Sequence, residues 1–151
     1  MLKLSRKTLL ALEAVIDIAF TPRAEPVQAK EITARQGVPQ RYLEQVMQQL
    51  VRVGILKGVR GPHGGYRLAR ERRRISVGDI VRAAESPDET AEDETALQSE
   101  IGRVVVLPFV ETLHKDMMTK LDAVSIDDFC TKARAAGLCR NAEPANLDFV
   151  I

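Results

Sequence analysis

Between Leu50 and Leu68 the chain reads L-V-R-V-G-I-L-K-G-V-R-G-P-H-G-G-Y-R-L, and few folds accommodate such a run. It joins the end of an amphipathic helix to two strand-like segments, Ile55 to Val59 and Tyr66 to Ala69, through the basic tip Arg60-Gly61-Pro62-His63-Gly64-Gly65. Glycines supply positive φ and close backbone approach, and the proline stiffens the turn. Turn chemistry by itself also explains an ordinary hairpin with a solvated arginine. What flanks the hairpin decides between that and a binding device.

Upstream, Gln28 to Gln36 reads as a short helix and Gly37 as its left-handed C-terminal residue. Pro39 reads as the first residue of a second helix running to about Val53. This is a helix-turn-helix layout. In the second helix Leu43, Val46, Met47, Leu50 and Val53 share one stripe and are expected to point inward. The opposite face carries Gln40, Arg41, Glu44, Gln45, Gln48 and Arg52. Amide and guanidinium groups make paired hydrogen bonds to base edges in the major groove, and a glutamate accepts from a cytosine amino group. A merely solvated face would more often alternate Lys with Glu. Followed by a hairpin whose Arg60 suits the negative potential of a minor groove, the pattern predicts double-stranded DNA as partner. The expected contacts are Gln28, Lys30, Gln40, Arg41, Tyr42, Glu44, Gln45, Gln48, Arg60, Gly61, Pro62, His63 and Gly64. His63 either adds a contact or plays no part.

Charge follows the same division. Met1 to Glu85 carries 16 Lys plus Arg against 8 Asp plus Glu, a net of +8, whereas Ser86 to Ile151 carries 6 against 13, a net of −7. A basic first half attracts phosphates and an acidic second half is repelled by them, so the near-neutral whole hides an orientation. Two readings of Arg70 to Arg74 stand: a phosphate contact beyond the hairpin, or a solvated turn. No apolar run approaches the length of a membrane span and the N-terminus does not resemble a secretory signal, so a cytoplasmic protein with no membrane partner is expected. No nucleophile–base pair, metal-ligand cluster or phosphate-binding glycine loop argues for an enzyme.

A first helix is expected from near Ser5, an N-cap or a phosphate ligand, with Leu9, Leu12, Ile16 and Ala19 inward and an end before Thr21-Pro22. A further helix starts at Ser76, with Asp79 as capping-box partner and Ile80, Val81 and Ala84 buried. The acidic stretch between Ala84 and Leu97 reads as a loop, and it lacks the glycine and ligand order of a calcium loop. From Gln98 to about Val124 the chain is helical again, and Pro108 either kinks this helix or marks where its main part begins. Its stripe Ile101, Val104, Val105, Phe109, Leu113, Met117 and Leu121 needs a partner. Either it folds back on its own domain or it pairs with a second copy; the small size of the N-terminal core favours a homodimer, with Ile101, Val105, Phe109, Leu113, Met117 and Leu121 as the interface.

The order of parts, V-P-Q-R-Y-L-E-Q, then R-G-P-H-G-G-Y, then I-S-V-G-D-I-V-R-A-A-E, then a long helix and V-S-I-D-D-F, resembles the IscR/NsrR/CymR (Rrf-two) family of dimeric winged-helix regulators over nearly the whole chain. The resemblance implies that Gln40, Arg41, Glu44 and Gln45 read the major groove, Tyr42 touches the backbone, and Arg60 enters the minor groove. Many such proteins hold an iron-sulfur cluster through three closely spaced cysteines. Here Asp88 to Leu107 contains neither Cys nor His, so no cofactor is expected. The signal would then come from a small-molecule or protein effector. The two cysteines, Cys130 and Cys139, are expected as reduced thiols, Cys130 buried on a helix with Ile126, Phe129 and Ala133; a reversible thiol switch between the two, or across the dimer, is the alternative.

The expected fold is mainly α with a small β-hairpin wing. Residues 1–85 would form a winged helix-turn-helix domain, 86–97 an acidic loop and 98–151 the dimerisation helix with a C-terminal helix or tail. The expected function is a homodimeric transcriptional regulator, a repressor, acting on a palindromic operator. A winged helix used only for protein–protein assembly is the rival, and the polar, basic face of the second helix argues against it.

Overall fold

The computed structural model describes residues 4–85 and 97–138. Six α-helices and one two-stranded antiparallel hairpin make up the described chain, so the fold is mainly α with a β-wing. Helix α1, Arg6–Phe20, begins where the Ser5 hydroxyl accepts from the Thr8 N–H at 3.2 Å. Ser5 is thus occupied as an N-cap. Helix α2, Ala29–Gln36, ends at Gly37, whose φ of 68° lets the chain reverse within three residues into α3, Gln40–Arg52. Pro39, expected inside α3, instead occupies its N-cap with extended ψ, and Gln40 is the first helical residue.

In α3 the stripe Leu43, Val46, Met47 and Leu50 is buried, but Val53 is 50% exposed. The helix stops at Arg52 and Gly54, with φ 79°, swings the chain away, so helical periodicity no longer governs position 53. The α1 face differs too. Leu12 is buried and Ile16 and Ala19 are partly so, but Leu9 is 52% exposed, while Thr8, Leu10, Ala11, Ala14, Val15 and Ile18 are buried. The cause is that α1 is central: α2 and α3 cover one side, and α4 (Val77–Ala84) with the last helix covers another. A rule for one buried stripe fails for a helix packed on two sides.

Strands β1, Leu56–Val59, and β2, Gly65–Leu68, pair from Leu56 opposite Leu68 to Val59 opposite Gly65. A third segment joins them: the Val27 N–H donates to the Tyr66 carbonyl at 3.0 Å and the Tyr66 N–H to the Val27 carbonyl at 2.8 Å. The wing is thereby stitched to the residues that start α2.

After a short 3-10 turn at Arg72–Arg74, α4 opens on a capping box in which Ser76 and Asp79 each accept from the other's N–H at 3.0 Å. A π-helical turn, Gly102–Val106, then leads into α5, Leu107–Asp122. Pro108 explains the turn: with no N–H it cannot serve the carbonyl four residues back, and the Leu107 N–H reaches five residues back to Gly102. Helix α6, Ile126–Ala135, begins on a second capping box, Ser125 with Asp128. The starts of α4 and α6 bridge each other, Val77 N–H to Val124 carbonyl at 2.8 Å and Ile126 N–H to Ile75 carbonyl at 2.9 Å. Met118, Ile126 and Cys130 consequently belong to the same apolar core as α1 and α4. The acidic loop expected at 86–97 lies, apart from Leu97, outside the described residues, as does the tail from Cys139 onward.

One polar pair locks α1 to α2. Asp17, only 7% exposed, accepts from Arg35 through both oxygens, at 3.1 Å each from Nε. Arg35→Ala removes the bidentate partner of a buried carboxylate, with the cost reduced because Arg35 is itself a third exposed. The variant should lose about 2 kcal/mol and melt roughly 5 °C lower. Calorimetry showing an unchanged midpoint would remove this clamp from the account of stability.

Candidate nucleic-acid interface

The turn at Gly37 sets α3 across α2, and the Val27–Tyr66 bridge brings the wing alongside both. Between the three lies a depression of about 520 Å³. Gln28, Ala29 and Lys30 line it from α2 and the residue before it, Gln40, Glu44 and Val51 from α3, and Gly58 to Pro62 and Gly64 to Tyr66 from the hairpin. Eight of the residues expected to contact DNA therefore meet around one concavity: Gln28, Lys30, Gln40, Glu44, Arg60, Gly61, Pro62 and Gly64. Arg41, Gln45 and Gln48 do not line it; they are exposed along an adjacent stripe of α3, as is Tyr42 at 37%. His63 is exposed at the wing tip. Two faces of α3 are thus offered outward, one toward the wing and one beyond it.

Local bonds preset the groove. Gln40 Nε2 donates to Glu44 Oε1 at 3.0 Å, one helical turn apart, which leaves the Gln40 side-chain oxygen and the second carboxylate oxygen without a hydrogen-bond partner among the described residues. Burial pushes the Tyr66 hydroxyl above its ordinary range, and the Glu44 carboxylate adds to the effect. At the tip Gly61 adopts a φ of 115° and its carbonyl accepts from the Gly64 N–H at 2.9 Å. A Cβ on Gly64 would fall 2.2 Å from the Val59 carbonyl oxygen. Ala29, Val51, Gly58, Val59, Gly65 and Tyr66, none of them among the expected contacts, also line the groove. The glycine-rich strand ends were the available signal, since bare backbone admits close approach.

Several cations of the candidate surface are unpaired: among the described residues Lys30, Arg41, Arg52, Lys57, Arg60 and Arg67 form no ion pair. These six belong to α2, α3 or the hairpin; elsewhere Arg6, Lys7, Arg74, Arg103, Lys115, Lys120, Lys132 and Arg134 likewise form no ion pair among the described residues. Most arginines beyond the wing have carboxylate neighbours: Arg72 and Arg73 lie 2.6 and 3.7 Å from Asp127 of α6, Arg70 lies 3.8 Å from Asp79, and Arg82 pairs with Asp122, whereas Arg74 forms no ion pair among the described residues. Neither reading of Arg70 to Arg74 describes that run fully, because Arg72 and Arg73 tie it to α6.

On α5 and the π turn Ile101 is 72% exposed, Val105 61%, Phe109 62% and Leu113 37%. Met117 is half-buried and Leu121 packs against the chain's own core, so the stripe is open over its N-terminal part and covered at its C-terminal end.

Cys130 is fully buried, and that burial pushes its thiol up while the Arg72 guanidinium pulls the other way. Its redox partner in the alternative reading, Cys139, lies outside the described residues. The donor set does not fit a cluster held by three neighbouring thiolates. Residues 88–107 have no Cys, and among the described residues no group of three His, Cys, Asp or Glu side chains is placed to hold a metal. No helix among the described residues is long and apolar enough to cross a membrane.

Comparison with known proteins follows the same geometry. A family model described as Rrf2, iron-dependent transcriptional regulator, matches residues 4–132. The HTH-type transcriptional regulator IscR of Vibrio atlanticus is 41% identical over 90 residues, 59% of this chain and 52% of that protein, so the match spans about half the length of that relative. A Synechocystis sp. protein, slr0846, carrying an HTH-type transcriptional regulator name, is 31% identical over 99% of this chain and 100% of its own length. Among solved structures, T. potens IscR superposes with a TM-score of 0.73 at 35% identity, covering 91% of this chain and 93% of that one. CymR, the global cysteine regulator of B. subtilis, does so at 0.65 and 27% identity, covering 87% and 98%.

Proposed function

The chain belongs to the Rrf2 family of transcriptional regulators, and from that premise we propose that it is a homodimeric repressor reading a palindromic DNA operator without an iron-sulfur centre. In this reading Gln40, Arg41, Glu44, Gln45 and Gln48 address base edges in the major groove and Tyr42 the backbone. Gln28 and Lys30 hold phosphates beside the groove. Arg60 enters the minor groove while Gly61, Pro62 and Gly64 let the backbone come close, with His63 at the tip. Ile101, Val105, Phe109 and Leu113 meet their counterparts in a second copy, so that two reading heads match two half-sites. The protein acts by binding and not by catalysis, and a small molecule or a partner protein supplies its signal.

The observation that carries the reading is the gathering of eight expected contacts around one groove whose cations have no carboxylate partner among the described residues. Cations left unpaired beside exposed backbone in one groove are available to an anion from outside. Arg60→Ala should weaken binding to a duplex selected from random sequence by about ten- to a hundredfold at fixed salt, with no change in melting temperature. Fluorescence anisotropy on the selected duplex measures it. Unchanged affinity would exclude Arg60 from the interface, and failure of the wild-type protein to enrich any inverted repeat would exclude the reading as a whole.

A further inference from the structure

Lys57 and Arg67 stand directly opposite each other across the wing, as Cα partners in the antiparallel register. Both are exposed. Leu56 is buried and its partner Leu68 partly so, and alternation along each strand therefore turns Lys57 and Arg67 to the outer face of the hairpin, away from the core. Like charges directly opposite on one face of a strand pair repel each other. Neither residue forms an ion pair among the described residues. Arg67 is nevertheless held in place: its Nη2 donates to the carbonyl oxygen of Ala24, while the adjacent Glu25 makes no ion pair with it. One edge of the guanidinium is anchored and its remaining N–H groups have no partner among the described residues. Of the arginines a few positions further on, Arg70, Arg72 and Arg73 lie beside carboxylates, while Arg74 forms no ion pair among the described residues.

A hairpin whose tip enters a minor groove has two flanks, because the groove is only about 6 Å wide and walled by a phosphate strand on each side. The inner flank of this wing faces the depression shared with α3. The outer flank carries Lys57 and Arg67. We propose that these two residues form a phosphate clamp, gripping the backbone on the groove wall opposite α3 with no regard to base sequence. The inference rests on the DNA-binding reading above and adds to it a second, sequence-independent contact surface. A phosphate lying between the two cations relieves their repulsion.

Lys57→Gln and Arg67→Gln test it on the full chain, with two duplexes of equal length: one carrying a site selected by the wild-type protein, the other a scrambled sequence. Each substitution should weaken binding to both duplexes several-fold near 0.1 M salt and reduce the slope of log affinity against log salt by about one. The ratio of affinities for the two duplexes should stay that of the wild type, and Lys57→Gln should melt no lower than the wild type. Wild-type affinity and slope in a folded Lys57→Gln overturn the clamp alone. A loss confined to the selected duplex also overturns it, by assigning these residues to base reading. Failure of the wild-type protein to bind either duplex overturns the clamp together with the DNA-binding reading.

Discussion

Phe109→Asp is expected to convert the protein to monomers and to lower its affinity for a duplex with two half-sites by about a hundredfold or more. Phe109 is 62% exposed, midway along the open part of the apolar stripe between Ile101 and Leu113. A carboxylate there disturbs little within one protomer, because Phe109 lies outside the core cluster. In the proposed dimer the same carboxylate is buried beside its copy in an apolar contact, which is prohibitive for two unpaired charges. The DNA effect follows from linkage. In a dimer the second head binds at an effective concentration in the millimolar range, and a monomer forgoes that gain without losing any contact of its own. Affinity for a duplex with one half-site should therefore stay near the wild-type value. Sedimentation equilibrium combined with anisotropy on one- and two-site duplexes separates the effects. A Phe109→Asp protein that still sediments as a dimer, or still binds two half-sites as the wild type does, would show that this stripe is not the dimer contact.

What was legible in the sequence was local. The α3 stripe Leu43, Val46, Met47 and Leu50 followed from a 3.6-residue period, the helix ends from Ser5, Gly37 and the Ser76–Asp79 box, and the wing from its glycines. Where a local rule stopped applying, it failed without warning: Val53 lies one residue beyond the end of its helix, and Leu9 sits on a helix covered from two sides. Pairings between distant residues left no pattern to read. Nothing near Arg72 announces Asp127, nothing near Arg82 announces Asp122, and nothing near Tyr66 announces the bridge to Val27. The candidate interface was legible as a set of residues on three elements, but its shape depends on that last bridge, which decides how near the wing stands to the start of α2.

Gly65→Ala is therefore expected to disrupt the bridge that holds the wing against the start of α2. A Cβ at position 65 would lie 2.4 Å from the Val27 carbonyl oxygen and 2.7 Å from its carbonyl carbon. These are backbone atoms, so no side-chain rotation relieves the overlap, and the two chains must part. Parting them stretches both bonds of the bridge, the 3.0 Å one from Val27 N–H and the 2.8 Å one from Tyr66 N–H. Two backbone hydrogen bonds at about 1 kcal/mol each, with some overpacking strain, put the loss near 2–4 kcal/mol. The wing would also swing away from Gln28 and Lys30, so that Arg60 and α3 no longer meet one duplex in register, and affinity should fall about tenfold or more even where the protein remains folded. Gly58→Ala supplies the contrast. No atom lies within 4 Å of a Cβ built there, so its stability should stay within about 0.5 kcal/mol of the wild type. Urea denaturation of the pair decides the matter: a Gly65→Ala protein as stable as Gly58→Ala would mean that the Val27–Tyr66 bridge does not position the wing, and the register between wing and α3 would need another cause.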